Sequence, residues 1–168
     1  MSIDPGEKIT LAELPLRPEL VGEEPYGAPQ LDVPVCLNVN ENPYPPAPSV
    51  TEVLRTFDAA KLAIYPDANA KALKTAIAER FDLQPSQVFL GNGSDDVIAL
   101  SFQSFFNGDL PIAYPDITYS FYPVWCSLFG IKYKNYPVGD DFRINPEDYK
   151  EKNGGVVIPN PNAPTSLG

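Results

Sequence analysis

The fold of this chain is decided by residues 88–106, which read VFLGNGSDDVIALSFQSFF. The apolar run at 88–90 predicts a short strand, and the glycine-rich stretch at 91–94 predicts a tight loop. From Asp95 to Phe106 apolar side chains recur at helical spacing, so a helix is predicted to follow the loop. The segment therefore predicts a strand, a turn and a helix in that order.

The same alternation continues on both sides of this segment. Helices are predicted over 49–60, 69–81 and 119–129, the second of them capped by Asp67 or Asn69. Strands are predicted over 111–114, 131–136 and 155–158, the last of them buried. Over half of the 20 prolines precede residue 67, which indicates an extended N-terminal arm. The pattern indicates an α/β fold with a mostly parallel sheet, whose ligands lie beyond the carboxyl ends of the strands.

The composition excludes several kinds of site. A formal net charge of −10 and the lack of a basic run argue against a nucleic-acid-binding surface. Because the sequence contains no histidine, it offers no Ser/His/Asp triad and none of the common zinc sites. Cys36 and Cys126 each lie in an apolar stretch and are predicted to be buried thiols in a reducing compartment. No apolar run approaches the ~18 residues of a membrane span, so neither membrane nor nucleic acid is expected as a partner and the expected location is cytoplasmic.

Three segments are candidates for binding a ligand. In the loop at 91–96, backbone N–H groups of Gly93, Ser94 and Asp95 could bind a phosphate, although Ser94 could instead simply cap the helix. Tyr119 follows a predicted strand and could stack on a planar cofactor, but a tyrosine at such a position is more often part of the core. The segment 158–165, which includes Asn162, could direct carboxamides toward a ligand or could be a plain loop.

Taken in order, five segments give the chain its resemblance to a known family. They are LNVNENP at 37–43, YPD at 65–67, GNGSDD at 91–96, PDITY at 115–119 and NPNAPT at 160–165. Together they resemble the histidinol-phosphate aminotransferases, which are fold-type I enzymes that use pyridoxal phosphate (PLP), and the resemblance covers roughly residues 16–168. It implies an α/β fold of three αβα layers, with an N-terminal arm over 1–48 and part of the large PLP-binding domain over 49–168.

The resemblance also implies roles for residues in this chain. The loop at Gly93, Ser94 and Asp95 is expected to bind the cofactor phosphate, and Tyr119 is expected to stack on the pyridine ring. The family places an Asn beside the phenolic oxygen of PLP in an Asn-Pro-Thr-Gly segment. Here Ala precedes Pro-Thr and Ser follows it, so Asn162 is expected to make that contact instead.

Other implied roles involve a second subunit. In a homodimer, Tyr65 is expected to reach the cofactor phosphate of the neighbouring subunit, and Tyr26 and Asn40 are expected to lie toward a substrate. The Schiff-base lysine, the carboxylate that pairs with the pyridine nitrogen and the arginine that binds the substrate carboxylate are expected beyond residue 168. The chain is therefore expected to be an N-terminal fragment without catalytic residues or transaminase activity of its own.

The activity implied for the complete enzyme is PLP-dependent amino transfer between glutamate and imidazole-acetol phosphate, a step of histidine biosynthesis. Its small-molecule substrates would be histidinol phosphate with 2-oxoglutarate, or the reverse pair. Two alternatives remain open. The parent could be another fold-type I enzyme, such as an aromatic aminotransferase or a PLP decarboxylase, or the chain could be a non-catalytic α/β module that binds a phosphorylated ligand.

Overall fold

The structure, a computed structural model, describes residues 10, 13–22, 29, 31–37 and 41–168 of the chain. These residues belong to two compact units. One unit comprises Met1–Glu23 with Leu90–Gly168, and the other comprises Glu24–Phe89. The proposed boundary between an arm and a domain at residue 48 stays a prediction.

The Glu24–Phe89 unit contains two helices, α1 (Pro48–Thr56) and α2 (Lys71–Phe81). The first ends earlier than predicted because Asp58 caps a separate 3-10 turn at Ala59–Ala63, its side chain accepting from the N–H of the second residue of that turn. The N-cap position of the second is held by Ala70, which makes no side-chain cap bond, so neither Asp67 nor Asn69 occupies the cap position predicted for them. Asp67 nevertheless bonds to the start of the helix from three residues before that position. Its carboxylate accepts from the N–H of Asn69 at 3.0 Å and of Lys71 at 2.9 Å.

The strand predicted at Val88–Leu90 is absent among the described residues. Val88 has extended backbone angles, φ −106° and ψ 119°, yet the segment pairs with no described strand. Phe89 is 63% exposed. An apolar run reports a tendency to be extended, but a strand also requires a hydrogen-bonded neighbour, and the prediction was wrong for that reason.

A three-stranded parallel sheet lies in the other unit, with the order β2-β1-β3. Its strands are β1 (Ile112–Pro115), β2 (Tyr133–Tyr136) and β3 (Gly155–Val156). The parallel arrangement predicted for these segments is confirmed. β1 is buried throughout because it has a neighbour on each side, whereas β3 was wrongly predicted to be buried. Val156 is 40% exposed, since β3 lies at an edge of the described sheet.

Two helices build the core of this unit against the sheet. They are α3 (Gly93–Phe105) and α4 (Tyr122–Phe129), which pack on each other, and α4 connects β1 to β2. The buried cluster is largely aromatic and consists of Phe102, Ile112, Tyr114, Tyr122, Trp125, Cys126 and Ile131. The α/β fold class predicted from the alternating pattern is thus confirmed.

The two cysteines differ in their environments. Cys126 is buried in the core, as predicted, but Cys36 is exposed. The prediction for Cys36 was wrong because residues 31–37 are all exposed, so the apolar residues around it form no core. Among the described residues, no helix is both long and apolar enough to cross a membrane.

Candidate functional site

The candidate site is assembled at the carboxyl edge of the parallel sheet and at the start of α3. Because the strands run in parallel, the loops that follow β1 and β3 leave the sheet at the same edge. The first loop contains Ile117, Thr118 and Tyr119, and the second contains Asn162. Each of these loops follows a predicted strand, so its general location could be inferred from the sequence.

Two glycines shape the loop that precedes α3. A Cβ at Gly91 would lie 2.8 Å from Cγ2 of Val97 and 2.9 Å from Oδ2 of Asp96, so a side chain there would force these two side chains to move. Gly93 has φ +85°, a conformation that side chains disfavour, and open space surrounds the position of its missing Cβ. Glycine is thus favoured at position 91 by close contacts and at position 93 by its backbone conformation.

The first N–H groups of α3 provide the donors of the site. The N–H of Gly93 donates to the carbonyl of Gly91 at 3.0 Å, so it is engaged within the loop. No acceptor among the described residues is bonded to the N–H of Ser94 or of Asp95, as expected for the first turn of a helix. Ser94 lies inside the helix rather than at its N-cap, which is Asn92, so the alternative in which Ser94 caps the helix is wrong.

The carboxylates of Asp95 and Asp96, both in this turn, accept hydrogen bonds from other residues of the protein. Oδ2 of Asp96 accepts from the N–H of Asn92 at 3.0 Å, which closes the loop across its ends. Oδ1 of Asp95 accepts from the hydroxyl of Tyr119 at 2.7 Å. The structure thus joins two of the predicted site residues, which are 24 positions apart in the sequence. Sequence reasoning did not predict this bond.

The ring of Tyr119 lies at the rim of the aromatic core. Its centroid is 5.7 Å from that of Tyr122, edge-on, and 6.1 Å from that of Trp125. Tyr119 is half-buried, so its ring packs on the core while its hydroxyl reaches the loop before α3. The two interpretations of this tyrosine, as core residue and as ligand-binding residue, are compatible in this position.

Asn162 is 2% exposed, and its side chain joins the two loops at the sheet edge. Its Nδ2 donates to the carbonyl of Ile117 at 2.9 Å and to Oγ1 of Thr165 at 3.3 Å. Its Oδ1 accepts from Oγ1 of Thr118 at 2.9 Å. Both hydrogens of the carboxamide are therefore engaged within the protein, and a bond to the phenolic oxygen of a cofactor would have to replace one of them.

Two of the large pKa shifts belong to groups beneath the site, Cys126 and Tyr114. Burial raises the pKa of the Cys126 thiol to about 11. Burial, with Cys126 and Tyr133 close by, also raises the pKa of Tyr114, whose hydroxyl has no hydrogen-bond partner among the described residues. These groups stay protonated at neutral pH, so they contribute packing and no charge to the region below Tyr119.

A cavity of about 310 Å³ opens beside the second loop. Its lining comprises Phe142, Arg143, Ile144, Pro146, Ile158, Pro159, Asn160, Asn162, Leu167 and Gly168. Neither Ser94 nor Tyr119 contributes to it. The cavity is therefore distinct from the predicted cofactor-binding loop.

The remaining predicted residues are not brought to this site. Tyr65 lies in the Glu24–Phe89 unit and is 99% exposed, so its predicted role toward a neighbouring subunit stays a prediction. Tyr26 and Asn40 lie outside the described residues. Across the described part of the chain, no cluster of three or more His, Cys, Asp or Glu residues could hold a metal ion.

Comparisons with known proteins give a consistent result. A family profile described as aminotransferase class I and II matches residues 33–167. A histidinol-phosphate aminotransferase of Pseudomonas syringae pv. syringae is 49% identical over 151 residues, which cover 90% of this chain and 43% of that protein. Histidinol-phosphate aminotransferase 2 of Dechloromonas aromatica is 50% identical over 154 residues, covering 89% and 42% of the two chains. A histidinol-phosphate aminotransferase of Acinetobacter baumannii is 51% identical over 156 residues, covering 89% and 43%. The chain spans less than half of the length of these curated relatives.

Proposed function

Because the chain belongs to the class I and II aminotransferases, we propose that it is the N-terminal part of a PLP-dependent histidinol-phosphate aminotransferase. The names of relatives about half identical to it support this assignment. The observation that carries it is the link between Tyr119 and Asp95 at the start of α3. It joins an aromatic ring to a helix start with unbonded N–H groups, and the first can stack on a planar cofactor while the second can bind its phosphate.

In this proposal the start of α3 binds the phosphate. The N–H groups of Ser94 and Asp95 donate to it, and the helix dipole favours its negative charge. Gly93 leaves space for the phosphate because no side chain projects there. Its own N–H is bonded to Gly91, so Gly93 contributes shape rather than a donor in this conformation.

The acidic residues of this turn are compatible with an anion. A carboxylate aimed at the phosphate would repel it, but those of Asp95 and Asp96 are bonded to Tyr119 and to the N–H of Asn92. Both are therefore held by partners within the protein. The donor set fits a phosphate group in this respect.

Tyr119 orients the cofactor ring by presenting its own face beside the phosphate site. The bound cofactor supplies a conjugated ring that accepts electrons during amino transfer. Tyr119 packs on Tyr122 and Trp125, so its stacking face would be held by the aromatic core. Asn162 is the predicted ligand with the least geometric support, since both hydrogens of its carboxamide are engaged.

The proposal for the whole protein goes further than this chain. Its substrates would be glutamate and imidazole-acetol phosphate, or histidinol phosphate and 2-oxoglutarate in the reverse direction. It would act as a cytoplasmic homodimer, in which Tyr65 reaches the phosphate of the other subunit and Tyr26 and Asn40 lie toward substrate. The Schiff-base lysine would come from a part of the whole protein beyond residue 168.

The decisive variant removes one donor of the phosphate site in the full-length gene product. Ser94→Pro deletes the Ser94 N–H, and proline is tolerated in the first turn of a helix. Loss of one hydrogen bond to a charged group, about 1.5–3 kcal/mol, should raise the dissociation constant for PLP roughly 10- to 100-fold. Ser49→Pro is the matched control, because Ser49 holds the same second position in α1, and it should change PLP affinity less than about twofold.

The assay is PLP titration by fluorescence, followed by amino transfer from histidinol phosphate to 2-oxoglutarate. An aromatic amino acid serves as the competing donor. Equal PLP affinity in the Ser94→Pro and Ser49→Pro proteins would contradict the phosphate site. Turnover faster with the aromatic donor than with histidinol phosphate would contradict the proposed substrate while leaving the cofactor site intact.

A further inference from the structure

We infer that Asn162 is a positioning residue that holds Tyr119 in place through Thr118 and Ile117, rather than a ligand of the cofactor. The inference rests on the proposed function, because it assigns Tyr119 to the cofactor ring. It concerns the bonds that join the loop after β1 to the loop after β3. These two loops are 44 residues apart at the Thr118–Asn162 bond.

The bonds of Asn162 reach the two residues that immediately precede Tyr119. Its Nδ2 donates to the carbonyl of Ile117 at 2.9 Å, and its Oδ1 accepts from Oγ1 of Thr118 at 2.9 Å. The carboxamide thus makes hydrogen bonds to both the backbone and a side chain of the same loop. Two bonds from one planar group fix the orientation of that loop as well as its position.

Asn162 is itself held rigidly. Its N–H donates to the carbonyl of Leu167 at 2.7 Å, and its carbonyl accepts from the N–H of Ser166 at 2.7 Å. Its side chain is 2% exposed. A buried carboxamide whose backbone is also hydrogen-bonded can move little, so it holds the neighbouring loop in a fixed position.

The loop after β1 has a second anchor on its other side. Oδ1 of Asp116 accepts from the N–H of Val138 at 3.0 Å. Val138 lies just after the end of β2. The loop is therefore fixed at Asp116 and again at Ile117 and Thr118. Tyr119 follows directly, so the direction of its ring depends on these bonds as well as on its aromatic neighbours.

A cofactor ligand would need a different arrangement. Both hydrogens of the Asn162 carboxamide are donated within the protein, to Ile117 and Thr165, and its oxygen is occupied by Thr118. No hydrogen of the side chain is left for a phenolic oxygen. The support role requires no change in these bonds.

The test uses the full-length gene product with PLP and three single variants. Thr118→Val removes the hydroxyl but keeps the shape, Thr118→Ser keeps the hydroxyl, and Asn162→Ala removes the carboxamide. Asn153→Ala is the matched control, because Asn153 also makes three side-chain bonds but to Tyr149, Glu151 and Gly155, away from the loop after β1. The readouts are the PLP dissociation constant and the circular dichroism of the bound cofactor in its visible band, which reports ring orientation.

We expect Thr118→Val and Asn162→Ala each to weaken PLP binding about tenfold and to alter the visible dichroism in the same way. A double variant that combines Thr118→Val with Asn162→Ala should bind PLP no more than about twofold more weakly than Asn162→Ala alone, because both changes break the same bond. Thr118→Ser should restore affinity to within about twofold of wild type. Asn153→Ala should lower thermal stability without changing the dichroism.

Three results would overturn the inference. The first is a Thr118→Val protein with the PLP affinity and visible dichroism of wild type. The second is a double variant in which the two losses of PLP affinity multiply. The third is a visible spectrum whose pH dependence shifts in Asn162→Ala but not in Thr118→Val. The last result would indicate direct contact with the cofactor. Failure of the wild-type protein to bind PLP would instead refute the proposed function, and it is seen before any variant is compared.

Discussion

Replacing Tyr119 by Phe tests the bond that joins the aromatic ring to the start of α3. The change removes only the hydroxyl that donates to Oδ1 of Asp95 at 2.7 Å, and it keeps the ring contacts with Tyr122 and Trp125. A hydrogen bond to a charged group contributes about 1.5–3 kcal/mol. This one is exposed to solvent, so water and salt reduce its contribution to about 1 kcal/mol. Asp95 is left hydrated rather than buried, so no further penalty follows.

The expected result is a loss of about 1 kcal/mol in the free energy of unfolding, measured by urea denaturation. PLP affinity should fall about fivefold, because the ring can still stack on the cofactor but no longer has the hydroxyl that bonds it to Asp95. Tyr119→Ala should cost a further ~1–3 kcal/mol of binding, since it also removes the stacking surface. Tyr44→Phe serves as the control, because Tyr44 is 79% exposed, and it should change neither quantity. The reasoning is refuted if Tyr119→Phe matches wild type in both stability and affinity.

Three further predictions concern the supporting structure. Phe102→Ala should lower the free energy of unfolding by about 3–5 kcal/mol, because Phe102 is 1% exposed in the aromatic core; a urea midpoint close to that of wild type would contradict this. Iodoacetamide at pH 8 should label exposed Cys36 and spare Cys126, whose pKa burial raises to about 11; equal labelling of both in the native protein would show that the core opens readily. The pKa of Asp67 is lowered by the N–H groups of Lys71 and Asn69, so its stabilisation of α2 is present above the ordinary aspartate pKa of 3.8 and is lost as pH falls through the lowered pKa. Acid titration by circular dichroism should therefore show a smaller loss of helix in Asp67→Ala than in wild type.

Much of the fold could be predicted because it depends on local patterns. Periods of apolar residues gave the order of helices and the parallel strands β1 and β2 nearly as they occur. The strand predicted at Val88–Leu90 failed because the pattern carries no information about whether a neighbouring strand exists. The predicted burial of Val156 failed for a related reason, since burial depends on position within the sheet and not on the residue itself.

The site could be predicted in its parts but not in its connections. Glycine spacing located the loop before α3, and the position after a strand singled out Tyr119. The bond from Tyr119 to Asp95 spans 24 residues, and those from Asn162 to Thr118 and Ile117 span 44 and 45. Such bonds depend on how strands are ordered in the sheet, which no local spacing reports. The role expected of Asn162 came from the resemblance, and its bonds in the structure were not foreseen.

The strand order has a consequence for how the chain can fold during synthesis. β1 is both the central strand and the first of the three to leave the ribosome, where chains emerge at about 5–20 residues per second. β2 can then pair with one edge of β1, and β3 with the other edge once residue 156 has emerged. Neither later strand has to be inserted between strands that are already paired. The nascent sheet can therefore grow outward from its centre, and the junction between Thr118 and Asn162 can close only after β3 has emerged.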